Sequence, residues 1–444
     1  VSSQGTKIKR GRIDNAYHGI GSTGTTFAQG FVVEDCGIHA SAGTGIVISN
    51  KTAGSPDSQG SVVGYISRVL IDAAVLAHTP IGIDIQTCGD LTLVDISTVY
   101  CDTGLKIAPQ TGDVVQALFV HNSFFDSGTT QGIHISPSGG KVHLARFVNV
   151  WCASWGGNGV LVEGTNQIND LSFTSCTLSG NAGNGAYINP TLPSGWLTLT
   201  VYALNAVVTQ AGVTYWCAVA HTSGTFSTDL AAVKWVKFVP SYSFDNCSMN
   251  GNQNSGAAVG VGVGNFKFIG CTIGAGGQFD KNALWGLSIP AGAADNYVVT
   301  DNAFTGNGSG ALDDSGTGTN KSVYGNTGVD DTTWTPTWFS DGIAPAIGNG
   351  TLTGKYTKVC NLVSCVVGFK AGSTTTYGTG NYLFSLPFPT KALAGMSFSF
   401  AGTAYIDDTG TGWSQGSVFA GGPAATVFQI NTVPPGTVGL TRVG

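Results

Sequence analysis

Charge is scarce in this sequence. Of 444 residues only 10% are Asp, Glu, Lys or Arg, and glutamate occurs at two positions, Glu34 and Glu163. The formal net charge is −6, the isoelectric point is about 5.5, and residues 7–12 form the one basic cluster. Nucleic-acid binding draws its affinity from cations set against phosphates, so no nucleic-acid partner is expected. Long apolar runs are also missing. The most apolar stretches, such as 257–263, fall far below the roughly 18 residues of a membrane-spanning helix, no signal peptide is visible, and no membrane partner is expected. There is no Cys-x-x-Cys pair, no His/Cys cluster, no phosphate-cradling glycine loop and no Gly-x-Ser-x-Gly elbow, so neither a metal nor another cofactor is expected.

What is present is glycine, 66 residues of it, with 42% hydrophobic content and a mean hydropathy of +0.17. Disorder is excluded, and the core is large. Polarity comes from Ser, Thr, Asn and the backbone, as in β-rich chains with many tight turns, and helix is scarcely expected. The stretch 171–190, LSFTSCTLSGNAGNGAYINP, shows the organising pattern: an apolar strand ending in a small or sulfur residue, a Gly/Asn/Ser bend, and a strand of the form Gly-apolar-x-apolar. Phe173 and Cys176 are matched by Val33 and Cys36, Phe244 and Cys247, Phe268 and Cys271, and Val299 and Asn302. The second strand recurs at 45–48, 82–85, 104–107, 132–135, 159–162 and 185–188. Copies about 22–30 residues apart imply an all-β solenoid in which each copy is one coil and neighbours share a core. Cysteines at one repeat position stack inward as small buried hydrophobes, and free thiols imply folding in a reducing cytoplasm.

The rhythm sets the domain boundaries: a solenoid over 1–190, an insert over 191–240 that carries three of the nine tryptophans, the last coils over 241–330, and an antiparallel β-sandwich over 331–444 that caps the solenoid. An insert between coils leaves the solenoid continuous if its ends lie close together. The chain starts without Met inside a strand-like pattern, so an N-terminal part is expected to be missing.

Specific resemblances follow from these segments. The coils over about 1–328 resemble the right-handed parallel β-helix of bacteriophage tailspikes, a fold shared with pectate lyases. The insert is similar to small chitinase-type carbohydrate-binding modules of phage tail proteins, whose pattern is Tyr-x-x-Gly-Asp-x-Val, a Tyr-aromatic strand, AHTSGTF…TDLAAGKW and a closing Trp. This chain has Tyr202, Val208, Tyr215, Trp216, AHTSGTFSTDLAAVKW and Trp235, and departs at Asn205, Ala206 and Val233. The final segment, WTPTW…IGNGTLTGKYTKVCNLV, resembles C-terminal sandwich domains of phage tail proteins. These resemblances imply a virion protein that is a homotrimer, joins other tail proteins through the missing N-terminal part, and has a bacterial surface polysaccharide, capsule or O-antigen, as its partner.

In a β-helix, equivalent positions stack about 4.8 Å apart, so repeat columns are surface neighbours. The x position gives Val47, Asp84, Lys106, His134, Leu161 and Tyr187, and two residues later come Ser49, Gln86, Ala108, Ser136, Glu163 and Asn189. Asp84, His134 and Tyr187 are candidate sugar contacts and Glu163 a candidate catalytic carboxyl. A solvated sheet face with an Asp84–Lys106 salt bridge is the plain alternative. A second set lies on the bends: Tyr100, Cys101 and Asp102; Phe124, Phe125 and Asp126; and the run from Trp151 to Trp155. Asp102 and Asp126 precede Thr-Gly and Ser-Gly and are expected on equivalent bends one coil apart, near the spacing of paired glycosidase carboxylates. Ordinary turn chemistry explains the same residues without function. Trp151 and Trp155 are candidate sugar platforms there, and Trp216 and Trp235 in the insert, unless the last two form its small core. His121 is a further candidate base. The expectation is a polysaccharide depolymerase acting by glycoside hydrolysis, with a non-catalytic glycan-binding adhesin or a polysaccharide lyase as alternatives. Scarce Arg and Lys weigh against the lyase, because uronates need cations.

Overall fold

The computed structural model describes residues 7–14, 18–24, 28–39, 43–50, 62–73, 81–165, 167–191, 193–202, 206–210, 213–275, 281–292, 296–318, 320–328, 332–359, 362–389, 398–408, 412–421, 426–432 and 441–442. The chain divides into a unit over 1–329 and a second over 330–444.

The first unit is a parallel β-helix. One sheet has ten parallel strands, one per coil, and the other strands of each coil form a larger parallel sheet. The corner within this larger sheet is made by a single residue in the left-handed region. Arg10, Asp35, Arg68, Asp95, Asn122, Asn149, Ser175, Asn246, Gly270, Asp301 and Gly325 occupy it on successive coils, with φ between 48° and 67°. Asp, Asn and Gly dominate because glycine has no Cβ to clash and the short polar side chains of Asp and Asn tolerate this conformation. The corner residue stands directly before the cysteine column, so the repeat seen in sequence has a backbone cause.

Inside the corner the apolar column runs Val33, Ile66, Leu93, Val120, Phe147, Phe173, Phe244, Phe268 and Val299 in unbroken register. Phe147, Phe173, Phe244 and Phe268 stack nearly face to face at 4.5, 4.8 and 5.0 Å, spacings set by the strands. Cys176, Cys247 and Cys271 are buried and free, each pointing Sγ at a carbonyl of the preceding coil (Phe147 O 3.6 Å, Phe173 O 3.4 Å, Phe244 O 3.3 Å). Where the column changes to Asn302 and Asn326, their amides donate to the equivalent carbonyls, Phe268 O at 3.0 Å and Val299 O at 2.9 Å. Cysteine and asparagine thus do the same work here, as donors to a carbonyl. Burial pushes the Cys88 and Cys101 thiols up to about 12, which fits inert core residues. Cys365 is exposed, and Cys360 lies outside the described residues.

The Gly-apolar-x-apolar motif also has a steric cause. A Cβ on Gly132 would lie 2.1 Å from Cys152 Sγ and 2.6 Å from the Gly159 carbonyl, so only glycine lets the coils approach at this bend. Beside it runs a buried asparagine ladder: Asn181, Asn252 and Asn282 each donate Nδ2 to the Oδ1 of the next, Asn252, Asn282 and Asn307, at 2.9 Å.

Between coils, residues 193–238 form a small β module with one six-residue helix, Phe226–Ala231, and Tyr242 resumes the coil by pairing with Leu171. In the second unit a three-stranded and a six-stranded antiparallel sheet meet where Trp338 lies edge-on to Phe369 at 4.8 Å.

Asn252→Ala is expected to lower stability by about 2–4 kcal/mol, because it strands the Asn181 amide and the Leu178 carbonyl in a dry interior. The denaturant midpoint of the β-helix transition reports it, and a shift below about 0.5 kcal/mol would show that the ladder does not support the coils.

Candidate functional site

The outward face of the larger sheet, past the left-handed corner, forms a grid across four coils. Leu70 and Asp72 lie in register with Ser97 and Val99, these with Phe124 and Asp126, and these with Trp151 and Ala153. Alternation sends Ile71, Thr98, Phe125 and Cys152 inward. Leu70, Phe124 and Tyr100 are 40%, 53% and 57% exposed, an uncommon concentration of exposed apolar surface beside carboxylates. Asp126 accepts from Ser127 Oγ at 3.2 Å, and His39 Nδ1 lies 3.9 Å from Asp72 Oδ2.

Asp102 does not occupy the position equivalent to Asp126. The coil carrying Asp102 turns in three residues between Leu91–Val99 and Thr103–Ile107, whereas the next turns in four between Phe124–Asp126 and Gln131–Ile135. Asp126 ends its strand and aligns with Val99, whereas Asp102 lies three residues past Val99 in the turn and meets Thr129, whose Oγ1 donates to the Asp102 Oδ1 at 2.5 Å, while the Asp102 carbonyl accepts from Thr130. This is the turn role. Asp72 and His39 were not picked out in sequence, although each lies six residues after the core column (Ile66, Val33), as Asp126 lies after Val120. Counting from the core rather than from the bend locates them.

Of the bend aromatics, Trp151 faces outward and is half-buried, but Trp155 is 1% exposed and donates Nε1 to the Phe125 carbonyl at 2.9 Å. It is a core residue, and it leaves Gly128 no space for a side chain.

The ten-stranded sheet carries the second set. Asp84, Lys106, His134, Leu161 and Tyr187 stack in register. His134 Nε2 lies 2.8 Å from Glu163 Oε1, so these two are brought together. The Asp84–Lys106 salt bridge does not form. Asp84 is 8% exposed, Gln86 Nε2 donates to its Oδ2 at 2.8 Å, and its Oδ1 has no hydrogen-bond partner. Burial raises the Asp84 carboxyl above the usual range, against the pull of Gln86 and the charge of Lys106. Glu163 and Asp126 stand on different sheets, so the three carboxylates singled out in sequence share no site. His121 stacks on Phe119, with centroids 6.4 Å apart.

In the insert, Trp235 is 1% exposed and packs with Tyr202, Val208 and Cys217, so it is core rather than platform. Trp216 is half-buried, with Lys141 Nζ 3.8 Å over its ring. The AHTSGTF…TDLAA.KW pattern also has a structural cause. Buried Asp229 accepts from Gly224 N at 2.9 Å and Lys234 Nζ at 3.0 Å, with His221 Nε2 at 3.5 Å, and His221 packs edge-on to Trp235. Asn205 lies outside the described residues.

Val233 follows the helix in the left-handed region, φ 56°, with Val233 N bonded to Leu230 O and Lys234 N to Asp229 O. This is a glycine-type helix stop occupied by a β-branched residue. Val233→Gly is expected to stabilise the insert by about 1–2 kcal/mol, read as a higher midpoint in tryptophan fluorescence; an unchanged or lower midpoint refutes the strain. The Gly224 amide and then Lys234 hold the Asp229 carboxyl below its usual range. Its contribution is therefore present above about pH 4 and lost as pH falls through the depressed folded value. The insert should loosen in acid, and Asp229→Asn should remove that pH dependence from the fluorescence midpoint.

No protein-family model matches the chain, and no curated protein matches it. Among solved structures it is similar to the Dettilon tailspike protein gp208, at 12% identity over 98% of this chain and 83% of that chain, with a TM-score of 0.40. It is similar to tailspike protein gp49 from Acinetobacter baumannii bacteriophage Fri1, a capsular polysaccharide depolymerase, at 10% identity over 95% and 82%, with a TM-score of 0.31. It is also similar to the periplasmic alginate epimerase AlgG, at 10% identity over 73% and 75%, with a TM-score of 0.33.

Proposed function

We propose that this chain is a bacteriophage tailspike that holds a bacterial surface polysaccharide along its β-helix and hydrolyses it. The observation that carries this reading is the exposed pair Tyr100 and Phe124 beside Asp126, on a chain with very little charge. Aromatic rings present flat apolar faces that match pyranose rings, and a carboxyl among them is placed for proton transfer to a glycosidic oxygen. The low charge of this face suits a neutral or N-acetylated polymer better than a polyuronate. In this reading the insert adds affinity for the same glycan. The protein works as a homotrimer in the virion.

One observation favours a second reading. His134 is held by Glu163 at 2.8 Å and has Lys106 as its register neighbour. A positioned base beside a cation is what β-elimination on a uronate requires.

A panel of capsular and O-antigen polysaccharides separates the readings. Hydrolysis yields new reducing ends without the ultraviolet absorbance of unsaturated sugars, and Asp126→Asn should lower turnover by about 10² or more with binding retained. Elimination yields that absorbance, with Glu163→Gln as the damaging change. Binding with no products of either kind identifies a non-catalytic adhesin.

A further inference from the structure

Resting on the hydrolase reading, we propose that Asp72 is the second catalytic carboxyl, acting with Asp126 across the coil that carries Val99. Asp72, Val99 and Asp126 are consecutive register partners on one outward column. Two strand spacings separate the two aspartates, roughly 9.6 Å between Cα atoms. Side chains on one column keep about the spacing of their Cα atoms, which puts the pair at the upper end of the wider carboxylate separation, about 6.5–9.5 Å, that admits a water beside the sugar.

The coil between them is shaped for this. Its outward residues, Ser97 and Val99, are smaller than Leu70 on one side and Phe124 on the other, so the surface dips between two taller rows, with Tyr100 exposed at the end of the dip. A sugar over Ser97 and Val99 would meet apolar walls on both sides and a carboxyl at each edge. His39 approaches Asp72 from the coil on the side away from Val99, and beyond it Asp14 is engaged by Arg12 at 2.8 Å. Asp102, beside Thr129, and Glu163, beside His134, lie off this column.

The step balances with water as the one co-reactant. Water oxygen attacks the anomeric carbon, and the bond from that carbon to the glycosidic oxygen breaks. The leaving oxygen takes a proton from one aspartic acid, and the proton released by the water passes to the other aspartate.

The test uses the full chain and whichever polysaccharides of the capsular and O-antigen panel the wild-type protein cleaves. Asp72→Asn should lower kcat by about 10² or more with KM and binding nearly unchanged, and with circular dichroism and thermal midpoint as in the wild type. Val99→Trp, which fills the dip between the two carboxyls while leaving both in place, should abolish binding and cleavage together. Near-normal turnover of Asp72→Asn on a polysaccharide the wild type cleaves overturns the pairing and leaves the hydrolase reading standing. So does loss of turnover in Asp102→Asn but not in Asp72→Asn. If Asp72→Asn misfolds, retained cleavage by Val99→Trp overturns the pairing instead. Failure of the wild type to cleave any member of the panel overturns the hydrolase reading and the pairing with it.

Discussion

The structure depends on one constraint: each coil must hydrogen-bond to the next in strict parallel register, because its strands have no other partner for their backbone groups. Register turns the chain into columns, and a column of like side chains then packs at strand spacing. The four stacked phenylalanines at 4.5–5.0 Å and the asparagine ladder at 2.9 Å are both consequences of this. The left-handed corner makes the columns repeat faithfully, since one residue of defined conformation turns the strand at the same point in each coil.

The same constraint builds a surface site without loops. Outward positions two residues apart on one coil, and one strand spacing apart on neighbouring coils, form a rigid grid. Leu70, Asp72, Phe124 and Asp126 are held by strands whose inward neighbours are fully buried. Side chains mounted this way lose little entropy on binding a ligand, which suits recognition of a long, regular polymer. Scarcity of charge sharpens the contrast, because the few carboxylates stand on an otherwise neutral face.

The insert follows other rules. It is too small to bury much apolar surface, so it spends its aromatics on its own core and secures Asp229 with an amide, a lysine and a histidine. Its shared motif therefore marks how the module folds, and conspicuous residues such as Trp235 say little about what it binds.

Sequence alone determined the solenoid, because glycine, the apolar pairs and the cysteine column repeat at positions that only stacked coils can bury together. It also determined that the cysteines of the repeat column are core thiols and that Glu163 neighbours His134, since both sit in or beside regular strands where counting by twos suffices. Only tertiary structure decided the bends. Gly104 lies in a strand and Gly128 in a bend, so aligning Asp102 with Asp126 through the glycines that follow sets Asp102, three residues past the end of its strand, against Asp126, which ends its own. Inside a bend no period tells inward from outward, so Trp155 falls to the core, while Trp151, on the strand that precedes the bend, faces out. The Asp72–Val99–Asp126 column needed the fold as well, because a carboxyl two coils away becomes a neighbour only when hydrogen bonds between coils set the register.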